Sequence, residues 1–263
     1  MEVTIQEVPG EHNEFVVRVA ARFTITATWA EDDSDIKRWI QRIQKIYRPK
    51  NRRRSLVVGL CADRSLNYAN GTHVSHSTGV SLKDHPYELL QICVGNHCVM
   101  CTMDSTICSW GGKWFPKALK DLLHDGGVTV VGVGIDKFGK KMEKDYGWMM
   151  PNKAVELRDL AAQLRGNNGT PNNPDGQTTR DFSRFGLARL ARAVLGEEVN
   201  FVKPNRITWC NSHWIPCYPQ RLTKDMIKYA SVEAFLTSYM GATLLDLATA
   251  KSVGARPHFL EHY

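Results

Sequence analysis

Long apolar runs are what this sequence most plainly lacks: no window approaches the roughly 18 uninterrupted apolar residues of a membrane span. The start, MEVTIQEVPGEHNE, has no basic-then-apolar order, which excludes a secretory signal there. A soluble intracellular protein, cytoplasmic or nuclear and not bound to a membrane, is therefore expected. In that setting the Asn70 and Asn168 sequons carry no glycan, and the seven cysteines stay reduced and mostly buried. No internal repeat is visible. Gly132-x-Gly134 follows an apolar run, but Lys137 stands where a dinucleotide loop needs its third glycine, so tight turning or close packing explains the pair better. Acids are outnumbered too: 27 against 34 lysines and arginines leave a formal net charge of +7. That balance suits a polyanion, because cations set against phosphate release condensed counterions.

The chain does hold enough apolar material, 43% over 263 residues, for one sizeable core with a small extension at one end. Its centre is SLVVGLCADR, Ser55 to Arg64, whose β-branched run reads as a central buried strand. Chemistry in sheet proteins gathers at the carboxyl ends of such strands, where Asp63 is either an active-site carboxylate or a surface charge. The strand is entered from the most basic stretch of the chain, Arg48, Lys50, Arg52, Arg53 and Arg54, which is either a nucleic-acid contact or a solvated loop.

Alternation over residues 1–30 predicts two or three antiparallel strands, a ribbon laid against something larger. Ser34 or Asp35 is expected to cap a helix that carries Ile36, Trp39, Ile40, Ile43 and Ile46 along one stripe. Residues 65–84 read as an exposed loop, and Leu89–Val94 and His97–Thr102 as a hairpin about Gly95-Asn96. A helix over Trp114–Leu123 leads to a second apolar strand, Val128–Val133, so a parallel crossover is expected. Helices follow after Gly134, near Leu157, over Phe185–Leu195 and from Thr223 to about Leu247, with a disorder-like stretch over Gly166–Thr179. The order gives an α/β domain: a mixed sheet flanked by helices, with an antiparallel hairpin in the sheet.

Tyr229 and Glu233, four apart, share one face of the last helix, within an otherwise apolar run. Taken alone, Glu233 is best read as facing water, since a bare buried carboxylate is costly.

Three stretches taken together carry a resemblance. GLCADR, then VVGVGIDKFGKKMEKDYG, then LTKDMIKYASVEAF are similar in order and spacing to the three motifs of the DEDD-superfamily 3′-5′ exonucleases. The likeness is to the tyrosine subclass with Werner-syndrome-type domains and small plant single-domain relatives. ELLQICVGNHCVM, VELRDLAAQL and GLARLARAVLG followed by Lys203-Pro204 extend it over roughly Val3 to Leu245. The resemblance implies a ribonuclease-H-like fold, with an N-terminal β-ribbon and helix over 1–47, an exonuclease-like domain over 48–250 and a tail over 251–263. It further implies a hydrolase using Mg2+ or Mn2+, in which four carboxylates hold two ions about 4 Å apart and a tyrosine orients the attacking water.

Carried over by position, the first motif Asp-x-Glu falls on Cys61 and Asp63, the second-motif Asp on Phe138, and Tyr-x-x-x-Asp on Tyr229 and Glu233. A thiol is a soft ligand for a hard ion, and Phe138 offers none. Asp63 and Glu233 trade a methylene and partly compensate around a single ion, with Asp136 as a candidate third carboxylate. The expectation is a nuclease-family protein that acts on or binds single-stranded RNA or DNA, with catalysis weakened or lost. The alternative is a non-catalytic nucleic-acid-binding or protein-interaction scaffold, with room for a homo-oligomer. Candidate nucleic-acid contacts are Arg52, Arg53, Arg54, Lys203, Arg206 and Trp214, with Trp209 beside them. Cys98-x-x-Cys101 and Cys210-x-x-His213-x-x-x-Cys217 invite a zinc site, but neither has a matching second half nearby.

Overall fold

The computed structural model describes residues 2–20, 22–47, 55–64, 87–103, 115–151, 153–166, 182–197, 199, 201 and 222–253. The basic stretch Arg48–Arg54, with Arg52, Arg53 and Arg54, lies outside them, as do Lys203, Arg206, Trp209, Trp214 and the Cys210, His213, Cys217 cluster.

The apolar alternation near the amino end forms three strands, β1 (Val3–Glu7), β2 (Glu14–Val19) and β3 (Phe23–Ala30). Phe15, Val17, Val19, Ile25, Ala27 and Trp29 share one buried face, as a period of two requires. The helix α1 (Asp33–Tyr47) buries Ile36, Trp39, Ile40 and Ile43. Its cap is Asp32 rather than Ser34 or Asp35: the Asp32 carboxylate accepts from the Ser34 and Asp35 amides at 2.8 and 3.0 Å. Four acceptor side chains in a row, Asp32 to Asp35, compete there, and the first lies outside the helix, where the orphan amides point.

The central run is β4 (Leu56–Arg64), followed by the hairpin β5 (Tyr87–Val94) and β6 (His97–Thr102). Gly95 takes φ +56° at the turn, and a Cβ there would overlap the Tyr47 ring. Next come α2 (Lys117–Leu123), β7 (Val128–Gly132), α3 (Ile135–Tyr146), β8 (Ala154–Glu156), α4 (Leu157–Gly166), a 3-10 turn (Phe182–Arg184), α5 (Leu187–Leu195) and α6 (Lys224–Val253). The three-residue β8 is too short to show a period and escapes sequence reading. The last helix runs six residues past Leu247, to Val253.

Among the described residues, eight strands form one sheet in the order β1-β2-β3-β6-β5-β4-β7-β8. The ribbon therefore continues the main sheet, joined by the parallel β3–β6 pair, instead of lying against it. β4 and β7 pair in parallel, the crossover expected from the helix between them. Buried residues of α1, α2 and α3 pack on one face of the sheet, and those of α4, α5 and α6 on the other.

The long α6 lies closest to β4. A Cβ on Gly59 would sit 2.8 Å from the Ala234 carbonyl oxygen and overlap the Ser238 amide nitrogen. On the helix side, a Cβ on Gly241 would come 2.5 Å from a Val131 methyl. Two glycines thus let a helix seat directly on the strands that carry the candidate motifs.

Candidate active site

A period of two turns Val57, Gly59, Cys61 and Asp63 of β4 toward α6, and Leu60 and Ala62 toward α3. At its carboxyl end β4 borders a cavity of about 210 Å³. Cys61, Asp63, Phe138 and Glu233, drawn from three segments far apart in sequence, all line it, with Tyr87, Gln91 and Leu187. The Cys61 thiol does not point freely into this space. Its Sγ lies 3.0 Å from the Thr237 hydroxyl, which itself donates to the Glu233 carbonyl at 2.8 Å. Asp63 accepts from Gln91 Nε2. Gln91 stands opposite Cys61 in the β4–β5 register and is fully buried, so the amide fixes the carboxylate from inside the sheet.

Phe138, on the first turn of α3, closes another wall. Its ring is 5.2 Å from Tyr87 and 6.2 Å from the fully buried Trp148, and only 8% of it is exposed. Gly132 and Gly134 set this approach. Gly134 takes φ +75° at the helix start, and a Cβ on Gly132 would sit 3.1 Å from the Leu60 carbonyl. Turn and packing, rather than a dinucleotide, account for the Gly-x-Gly.

The amino end of α3 is held by a carboxylate from another strand. Glu156 Oε2 on β8 accepts from the Gly134 and Ile135 amides at 2.7 and 3.0 Å. Arg158 grips the same carboxylate through Nε at 2.8 Å and donates to the Ser183 carbonyl at 2.9 Å, ahead of α5. The bond to Glu156 raises the Arg158 pKa further above its ordinary value, so the arginine stays charged. This network fixes the α3 wall against the turn leading to Leu187 on α5.

Tyr229 sits one turn before Glu233, outside the cavity lining, with its ring 5.9 Å from Phe201 and 5.0 Å from the Lys228 ammonium. Asp136 is exposed at the outer side of α3 and does not line the cavity. Cys98 and Cys101, three apart in a strand, face opposite sides of the sheet and cannot share an ion. Cys98 instead faces Cys93 across the hairpin, at 2.7 Å between sulfurs.

Sequence reasoning missed Gln91 as a site residue, together with Tyr87, Leu187 and the Glu156–Arg158 pair. A lone glutamine inside the apolar strand ELLQICV was the available signal, because a buried amide requires a partner.

No family model matches the chain. A 3′-5′ exonuclease of Arabidopsis thaliana is 31% identical over 165 residues, 62% of this chain and 47% of the relative. The human exonuclease 3′-5′ domain-containing protein 2 is 31% identical over 156 residues, 58% of this chain and 21% of that protein. The matched stretch thus spans half or less of these relatives. The crystal structure of Escherichia coli RNase D, an exoribonuclease involved in structured RNA processing, superposes with a TM-score of 0.55 at 14% identity, over 86% of this chain and 46% of that one. At that identity the likeness is one of fold: a mixed sheet flanked by helices, the ribonuclease-H-like architecture.

Proposed function

Because the chain carries a 3′-5′ exonuclease domain of the DEDD superfamily, we propose that it binds 3′ ends of single-stranded RNA or DNA in the Cys61–Glu233 cavity, with metal-dependent hydrolysis weakened or lost. The observation that carries this reading is the convergence on one cavity of Cys61, Asp63, Phe138 and Glu233, the four positions that the resemblance gives to carboxylates. The address is that of the family, and two of its four carboxylates are replaced.

Divalent ions supply such sites with an activated water and charge neutralisation at the leaving oxygen. The donors present do not fit a pair of them. Asp63 and Glu233 offer hard oxygens, but Cys61 is engaged with Thr237, and Phe138 fills its place with an aromatic ring. Among the described residues, no group of three or more His, Cys, Asp or Glu side chains is placed to hold an ion. Asp63 and Glu233 would hold any single ion that enters, and Gln91 orients the first of them. Tyr229, outside the lining, is the family's water-orienting position and has no water-activating partner set to serve.

The test is a 3′-end trimming assay on 3′-labelled single-stranded RNA and DNA with Mg2+ and with Mn2+, run beside a binding measurement at low salt. Binding with no or slow trimming is expected. Robust trimming that disappears in Asp63→Ala and Glu233→Ala overturns the loss of catalysis, and no binding of either polymer overturns the nucleic-acid reading. Since the chain spans only part of its relatives, the residue ranges 1–47, 48–250 and 251–263 remain our proposed division into ribbon and helix, exonuclease-like domain and tail.

A further inference from the structure

The cavity carries Asp63 and Glu233, so a nucleic acid's phosphates gain no attraction from its floor, and affinity for a polyanion has to come from cations placed beside it. The helix that forms its aromatic wall supplies them. On α3, Ile135, Phe138 and Met142 point into the protein. Lys137, Lys140 and Lys144, at spacings of three and four, fall on one exposed strip on the outer side of the same helix. The strip begins one residue before Phe138 and extends about 10 Å along the helix. Among the described residues none of these three lysines forms an ion pair. Lys141, between the strip and the core, is instead committed to the buried Asp145 at 2.8 Å. The exposed acids of α3, Asp136 and Glu143, are seven apart and line up along the Lys140 edge of the strip, four residues before Lys140 and three after it, while Lys137 and Lys144 lie on the far side. On α5 across the cavity, Arg189 is stacked over Phe185 at 3.9 Å, which leaves α3 as the described element with the least committed cations next to the cavity.

We propose that the Lys137–Lys140–Lys144 strip is a docking track for the phosphates of a single-stranded nucleic acid whose end reaches the cavity; this rests on the nucleic-acid reading above. Charge complementarity selects the occupant: three ammonium groups in a row, on a chain of net charge +7, face outward beside a cavity that a strand end would enter. Lysine suits such a track, since a mobile point charge holds phosphate without reading sequence.

The experiment measures affinity for a fluorescent single-stranded oligonucleotide across a salt series. It compares the wild type, the triple variant Lys137→Gln/Lys140→Gln/Lys144→Gln, and a charge-matched control, Lys37→Gln/Lys117→Gln/Lys120→Gln, on α1 and α2. All six lysines are exposed, so circular dichroism should show both variants folded. The track predicts that the α3 variant binds at least about fivefold more weakly and that its log K against log salt slope is shallower by about 2, near 0.7 per lost phosphate contact. The control should stay close to the wild type. Equal behaviour of the two variants, with the wild type still binding, overturns the track and leaves the nucleic-acid reading standing. A wild type that binds no oligonucleotide at low salt removes both. Displacement of the oligonucleotide by polyglutamate as readily as by unlabelled strand would mark the strip as a face for acidic protein and overturn the track.

Discussion

Cys61 links the two elements that build the site. A thiol at the end of β4, hydrogen-bonded to Thr237 on α6, couples strand and helix at a position that the proposed reading gives to a replaced carboxylate. The other described thiols are more deeply enclosed. Burial pushes the Cys101 thiol up to about 12, with the nearby Asp33 carboxylate adding to the shift. Burial likewise raises Cys93 well above the ordinary range, helped by its Cys98 neighbour. At pH 8 the native protein should therefore be alkylated at Cys61 while Cys93, Cys98 and Cys101 stay unmodified until denaturant is added. Peptide mapping after timed iodoacetamide treatment checks the order, and early labelling of Cys101 would contradict it.

His97 provides a pH-dependent counterpart. Its Nδ1 lies 3.0 Å from the Tyr47 hydroxyl, and burial lowers its pKa, with Arg42 contributing in the same direction. A lowered imidazole pKa means that the unfolded chain binds the extra proton first. His97 thus stabilises the fold fully above the unfolded value of 6.5, and that contribution fades as pH falls below 6.5 toward the folded value. Denaturation midpoints between pH 7.5 and 5.5 should decline less in His97→Gln than in the wild type. An identical decline in both would show that other groups govern this range.

At the scale of elements, the β4–α6 contact decides whether the site exists at all. Gly59→Ala sets a methyl against the Ser238 amide and the Ala234 carbonyl, both backbone atoms that cannot swing aside. A loss on the order of 3 kcal/mol is expected, as for an overpacked core. Urea unfolding measures it, and a change below about 0.5 kcal/mol, the level of an inconsequential surface substitution, would mean that α6 seats farther from the strand.

The elements differ in how far the chain announces them. β4, the hairpin and α1 were legible because long runs with clean periods of two or 3.6 leave one reading. β8 was not, being three residues long, and its one telling residue, Glu156, acts on an amino end 21 and 22 positions earlier. The cap of α1 was misplaced by two or three residues because acceptor side chains crowd Asp32 to Asp35. Within the site, the motif positions could be placed on strand and helix from the resemblance. Gln91 could not, since its role depends on a cross-strand register. Tyr229 shares a face of α6 with Glu233, yet it does not line the cavity, because the cavity meets α6 at Glu233, one turn farther along the helix axis.

Across the whole molecule, an eight-stranded sheet covered by helices on both faces brings three distant segments to one carboxyl edge. Two of the residues at that edge are committed to local contacts, Cys61 with Thr237 and Phe138 with Tyr87 and Trp148. On the proposed reading, the thiol bonded to Thr237 and the phenyl ring between Tyr87 and Trp148 are the two positions that have lost a metal ligand. On the same reading, affinity for a polyanion draws on the net charge of +7, which does not depend on the cavity's ligands.

Calorimetric titration of Mn2+ into the purified protein tests this account most directly, with Asp63→Ala/Glu233→Ala as the reference. The account predicts at most one weakly held ion that depends on Asp63 and Glu233. Two ions bound per chain, both lost in the double variant, would contradict it.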